Sequence, residues 1–134
     1  MRFSAELTGP MMPLALLRKY RCIYLASPHS LSRGGPELAF AEVCKLGGEL
    51  VAEGIKIFSP IAQRHAFCEH ADLDPLDHEL WLEQDDFFMA ACDALVVAQF
   101  AGWEDSYGIA QEISYFRSNN KPIHYLDPIR MDLR

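Results

Sequence analysis

The run Asp93-Ala94-Leu95-Val96-Val97-Ala98-Gln99-Phe100 narrows the possible folds more than any other stretch. Its centre is apolar at both parities. A strand wetted on one face would alternate, so this one predicts a central strand of a parallel sheet, covered on both sides. Parallel neighbours cannot be joined by a tight turn and need a crossover, usually a helix. The rest of the sequence supplies such crossovers.

Arg21 to Ser27 is a second short apolar run, stopped by Pro28. Ser30, Ser32, Gly34 and Gly35 give a loop, and Pro36 suits the first turn of a helix. From Glu37 to Gly54, Phe40, Val43, Cys44, Gly47, Leu50 and Val51 follow a helical period, with Gly54 as the stop. Ile55 to Phe58 predicts a short strand before Ser59-Pro60. Residues 61–76 are irregular, with one short helix at most. Asp77 caps a helix running to about Cys92. Asp105 or Ser106 caps another, to about Ser118, and Pro122 to Leu126 is the last strand. Strands thus alternate with helices. The predicted fold is α/β, a flavodoxin- or Rossmann-like three-layer sandwich with a four- to five-stranded parallel sheet. With strand order 2-1-3-4, ligands are expected where the order reverses, between Ser27 and the end of the third strand near Ala101.

At 134 residues the chain has room for one domain, placed at 20–134, with residues 1–19 as an N-terminal extension that packs on the domain or on a partner chain. A net charge of −7 argues against a nucleic-acid backbone as partner. No apolar run is long enough for a membrane span, and Met11 to Leu17, interrupted by Pro13, does not read as a signal peptide. The four cysteines, Cys22, Cys44, Cys68 and Cys92, form no CxxC pair; they read as reduced, partly buried core residues of a cytoplasmic protein.

Two carboxylates break the pattern of their helices. Asp85 has Trp81, Leu82, Phe88 and Met89 three and four residues away, while Glu83 and Asp86 lie on wetter flanks. Glu112 has Gly108, Ile109, Tyr115 and Phe116, while Gln111, Ser114, Arg117 and Ser118 make the polar face. A carboxylate in an apolar stripe either faces a cavity or holds a buried partner, because stranding it costs several kcal/mol, on the order of a poorly paired buried charge. Two of them beside one crevice suggest acid/base or nucleophilic work. Ser106 and the first-turn N–H groups make either an anion site or an ordinary helix cap, the second being the commoner case. The Ser27-Pro28-His29-Ser30 loop holds a phosphate or is simply a turn. There is no GxGxxG and no Walker sequence. His65, Cys68, His70, Asp72, Asp74 and His78 match no standard zinc spacing, so no metal is expected and the segment reads as a solvated loop or lid.

Ile23-Tyr24-Leu25-Ala26-Ser27-Pro28, Phe58-Ser59-Pro60-Ile61-Ala62, Asp85 eight residues before Asp93, Ser106-Tyr107-Gly108-Ile109-Ala110-Gln111-Glu112, and Lys121-Pro122 together resemble the nucleoside 2-deoxyribosyltransferase-like superfamily, most closely a DUF1937-type branch, over residues 21–127. The resemblance implies that Glu112 is the nucleophile at C1′ of a sugar. It implies that Asp85 assists at the base or sugar and that Tyr24 places nucleophile or substrate. Ser106 stands where transferases carry an aspartate, as in the deoxynucleoside monophosphate N-glycosidase branch, and implies a 5′-phosphate contact. Ala26-Ser27-Pro28-His29 replaces that branch's glycine-serine-arginine phosphate loop. Ser27, His29, Ser59, Gly102, Ser106 and Gly108 become the substrate-binding candidates. The implied activity is cleavage or transfer at the N-glycosidic bond of a nucleoside, a nucleoside 5′-monophosphate or a related ribosyl compound. It needs no cofactor and is carried out by a homodimer or larger homo-oligomer. The alternatives are a non-catalytic nucleotide-binding or sensing domain, and a partner-binding module.

Overall fold

The computed structural model describes residues 9–29 and 34–134. Residues 1–8 of the extension and Ser30 and Ser32 of the first loop lie outside the described residues. The elements are β1 (Ile23–Ala26), α1 (Gly35–Ala52), β2 (Ile57–Phe58), α2 (Pro60–His70), α3 (His78–Ala91), β3 (Ala94–Ala98), α4 (Tyr107–Ser118), β4 (Ile123–Asp127) and β5 (Asp132–Leu133). The sheet order is β2-β1-β3-β4-β5. The first four strands are parallel, so the order reverses between β1 and β3 as the sequence predicts.

β5 departs from the all-parallel expectation by pairing antiparallel with β4. A short turn makes it. The Asp127 carboxylate accepts the N–H groups of Ile129 and Arg130, and Met131 takes a left-handed φ of 58°. Two residues are too few for periodicity to announce a strand.

Strand parity divides the core. Ile23, Leu25, Val96, Ala98, Leu126 and Leu133 pack on one side with Leu17, Val43, Leu46 and Leu50. Tyr24, Ala26, Leu95, Val97 and Tyr125 pack on the other with Met89, Ile109, Ile113 and Phe116. Helix α1 therefore covers one face, and α3 and α4 the other. The described part of the extension joins the first layer. Leu14–Lys19 form a 3-10 helix with Leu17 fully buried, and Met12 bridges to Leu133.

One sequence reading is corrected and another is narrowed. The buried stripe of α1 is Ala39, Val43, Leu46, Gly47 and Leu50, so Cys44 and Val51 face solvent instead of the core. The step of three or four residues between buried positions leaves each of them just past the stripe's edge. Of the two readings left open for residues 61–76, irregular chain or one short helix, the second holds, since residues 60–70 form a regular helix. Its composition is mixed and only Pro60 is fully buried, so the periodic signal is faint. The start signal is sound, since the Ser59 hydroxyl accepts the Ala62 N–H at 3.1 Å and Pro60 occupies the first helical position.

The amino ends of the strands are tied together. The Asp93 carboxylate accepts the Arg21 N–H at 2.7 Å. The Lys121 ammonium donates to the carbonyls of Met89, Ala90 and Cys92 at 3.0, 2.9 and 2.8 Å, capping α3 with a charge of the sign its dipole favours. Cys22 and Cys92 touch there, Sγ to Sγ 3.3 Å, and all four cysteines are free. No helix among the described residues is long and apolar enough to cross a membrane.

Candidate active site

Tyr24 lies on the β1 parity that faces α3 and α4, between the rings of Phe58 and Phe116 at 5.7 and 5.9 Å. Its hydroxyl is buried and makes no hydrogen bond of acceptable geometry, although it lies within interaction range of the Glu112 carboxyl. Burial, then the negative charges of Glu112 and Asp85, push the phenol above its ordinary pKa, so it stays protonated.

Glu112 reaches this point from α4, whose Ile109, Ile113 and Phe116 are buried against the sheet. The side chain keeps partial accessibility, but its carboxyl is desolvated and its pKa rises to about 8. Desolvation is the main cause. Asp85 adds to it, while Tyr24 and Arg64 oppose it. Asp85, on α3, is also raised by desolvation, against the pull of Arg64 and with a small push from Asp86. Tyr24, Asp85 and Glu112 thus share one electrostatic site, although they come from three elements.

The fourth member was invisible to the sequence reading. Arg64, from α2, donates from Nη2 to the Asp85 carboxylate at 2.9 Å. Its guanidinium lies over the Trp81 ring, 5.1 Å from the centroid. Trp81 is fixed by its indole N–H donating to the Asp74 carbonyl at 2.9 Å. Arg64 Nε is buried and has no acceptor. Its signal would have been the Ser-Pro helix start at residue 59, which sets α2 beside β1 and so brings an arginine to the site.

The six substrate-binding candidates fare unevenly. Ser27 is buried at the end of β1 with an unpartnered hydroxyl. His29 follows and meets His65 of α2, Nε2 to Nδ1 3.2 Å. Burial, His65 and Arg64 lower its pKa, so its ring is neutral at pH 7. Ser59 caps α2 with its hydroxyl. Ser106 caps α4, accepting the Ile109 N–H at 3.3 Å, which is the helix-cap role. Gly102 turns the chain with φ of 92° into the short 3-10 turn Trp103–Asp105. Gly108 has open space beside it, since a side chain there would meet only Ser106 Oγ, at 3.9 Å.

The histidine- and aspartate-rich segment disperses. His65 turns inward, His70 and His78 are exposed, Asp74 orders its own turn by accepting the Leu76 N–H, and Asp77 caps α3. A separate open cleft of about 340 Å³ is lined by Glu42, Lys45, Phe100 and Ile129 among others, with no buried titratable group. It contains none of the candidate residues.

Four charged or phenolic side chains, two of them carboxylates pushed toward the neutral form, can hold and move one proton beside a polar ligand. Tyr24 OH and Arg64 Nε are buried polar atoms still open to a partner there, and Ser27 Oγ is another just past the end of β1. No curated protein matches the chain. A family model described as a domain of unknown function, DUF1937, matches residues 21–127. That span carries β1 to β4, all four α-helices and every residue of the site, and the chain belongs to the DUF1937 family.

Proposed function

We propose that this protein cleaves or transfers at the N-glycosidic bond of a nucleoside, a nucleoside 5′-monophosphate or a related ribosyl compound, with Glu112 as nucleophile. The observation that carries the reading is the partly buried, desolvated carboxyls of Glu112 and Asp85, coupled to Tyr24 and Arg64 beside the reversal point of a parallel sheet.

In the reactive form one proton resides on the pair. Ionised Glu112 attacks C1′ and forms a C–O bond as the C1′–N bond breaks. Asp85 gives its proton to the departing base, and water or a second base then displaces Glu112 from C1′. The resting pair keeps its proton mostly on Glu112, whose pKa of about 8 exceeds neutral pH. Positive charge growing at C1′ favours the ionised carboxylate and shifts the proton toward Asp85. Tyr24 steadies the carboxylate, and Arg64 orients Asp85. Ser27, His29 and the region around Gly108 would receive the sugar and any 5′-phosphate.

On this reading the protein works in the cytoplasm as a homodimer or larger assembly, without cofactor. The competing reading is a nucleotide-binding or sensing domain, which a largely neutral Glu112 would also suit. Turnover separates the two. The purified protein is incubated with nucleosides, their 5′-monophosphates and a second free base, followed by liquid chromatography, with Glu112→Gln alongside. Release or exchange of base by the native chain and not by the variant is the expected result. Tight binding without turnover, unchanged in the variant, would sink the catalytic reading.

A further inference from the structure

His65 meets His29 through Nδ1, and its Nε2 meets a second group of ligating atoms. Its Nε2 lies 3.1 Å from Glu69 Oε1, one turn along α2, and 3.3 Å from Glu37 Oε1, in the first turn of α1. The three ligand atoms are all within 4.8 Å of one another. The imidazole is 8% exposed, whereas the Glu37 side chain is 81% exposed. A buried nitrogen donor thus meets two carboxylates at a solvent-facing mouth.

Hydrogen bonding alone accounts poorly for this convergence. An imidazole nitrogen carries at most one hydrogen, so Nε2 must divide it between the two carboxylates, which weakens both contacts, and the anions repel each other across it. A cation between them resolves both problems. Ligands at metal–donor distances of about 2.0–2.2 Å stand roughly 3.0–3.4 Å apart, which the two His65 contacts already match. The two carboxylates need only a rotation of exposed side chains to close on the same point. Glu69 follows His65 by four residues, so one face of a helix presents both.

The surroundings are those of a ligating histidine. The Nδ1 of His65 faces His29 Nε2 at 3.2 Å, so an Nδ1–H donated to His29 leaves the Nε2 lone pair for the ion. Phe40 stacks on the imidazole, centroids 4.1 Å apart and planes 13° apart, which fixes the ring. Of the cluster His65, Cys68, His70, Asp72, Asp74 and His78 that the sequence offered, only His65 takes part.

We infer that Glu37, His65 and Glu69 form a site for one divalent transition-metal ion of mixed nitrogen and oxygen preference, clamping the start of α1 to α2. Water completes its coordination on the exposed side. Tyr24, Asp85 and Glu112 are not among its ligands.

The test is titration calorimetry of the full untagged chain with Zn²⁺ after chelator dialysis. Glu37→Gln, Glu69→Gln and His65→Ala are measured beside it. One ion per chain is expected, with affinity at least about tenfold weaker in each glutamine variant and lost in His65→Ala. Saturating Zn²⁺ should raise Tm in the native chain and not in His65→Ala. Glu37 is highly exposed, so its variant keeps the fold and the result stands even if His65→Ala does not fold. No saturable binding, or affinity unchanged in either glutamine variant, would overturn the assignment.

Discussion

At the amino ends of the strands Lys121 donates to three carbonyls, whereas at the carboxyl ends Arg64 leaves its buried Nε without an acceptor. The contrast extends to their neighbours. At the amino end the Asp93 carboxylate takes a backbone N–H, and Cys92 is a small buried thiol. Around β1 and its carboxyl end, Ser27 keeps a buried hydroxyl unpartnered, Tyr24 OH has only the Glu112 carboxyl within range, and Glu112 holds its proton to about pH 8. Of the four buried side-chain polar atoms without a partner among the described residues, three are there; the fourth is His124 Nδ1. Burying polar groups unpaired costs about 1–3 kcal/mol each. One end of the sheet therefore lowers the free energy of the fold and the other raises it. A fold retains that cost where a ligand will meet the open groups.

Four results would sharpen or break this contrast. The largest concerns Glu112→Gln, which should reduce base release by roughly 10³-fold or more while the circular dichroism spectrum is unchanged. Full activity in the variant would mean that Glu112 belongs to the structure and not to the chemistry. Next, Arg64→Met should lower kcat/KM by about 10- to 100-fold, because Asp85 loses both its orientation and its counter-charge. A variant that only unfolds more readily, with kinetics intact, would move Arg64 to the stabilising side.

Lys121→Met should do the converse. Losing its charge-assisted hydrogen bonds should cost about 2 kcal/mol of stability and leave kcat/KM within about twofold. A kinetic defect as large as that of Arg64→Met would erase the distinction between the two ends. The smallest effect is in the pH profile. If the working pair carries one proton, kcat/KM falls above about pH 8 as Glu112 loses it. Asp85→Asn removes the proton donor together with a negative charge that raises Glu112, so any remaining activity should lack this falling limb and rise with pH as Glu112 ionises, at a lower pH than in the native chain. A falling limb that stays in place would mean that the shared proton does not set it.

The parts of the molecule that periodicity governs were readable from the sequence. The run Asp93 to Phe100 announced a strand covered on both faces, and β3 is buried throughout. The same helical spacing that placed α3 and α4 also exposed Asp85 and Glu112 as carboxylates among apolar neighbours. Arg64 was unreadable for the matching reason. On weakly amphipathic α2 no position looks out of place, and its pairing with Asp85 spans 21 residues and depends on how two helices pack. The convergence of Glu37 on His65 is also tertiary, since α1 and α2 meet only after β2 has taken its place at the sheet edge. β1 and β3 are buried at every position, as strands inside the sheet must be, while β2 and β5 lie at its edges.

The most direct test of the contrast is the difference in Tm between Glu112→Gln and the native chain at two pH values. In the unfolded chain Glu112 loses its proton near 4.5, and in the folded chain only at about 8. Between those values the folded state binds the extra proton, so its stability falls as pH rises, by at most about 1.4 kcal/mol per pH unit. Glutamine does not titrate, and any cost of burying its amide is the same at both pH values. From about pH 5 to about pH 8.5 the difference should therefore move in favour of Glu112→Gln by a few kcal/mol, on the order of 5–10 °C. The same difference at both pH values would show that Glu112 carries no desolvation cost, and the contrast between the two ends of the sheet would fail.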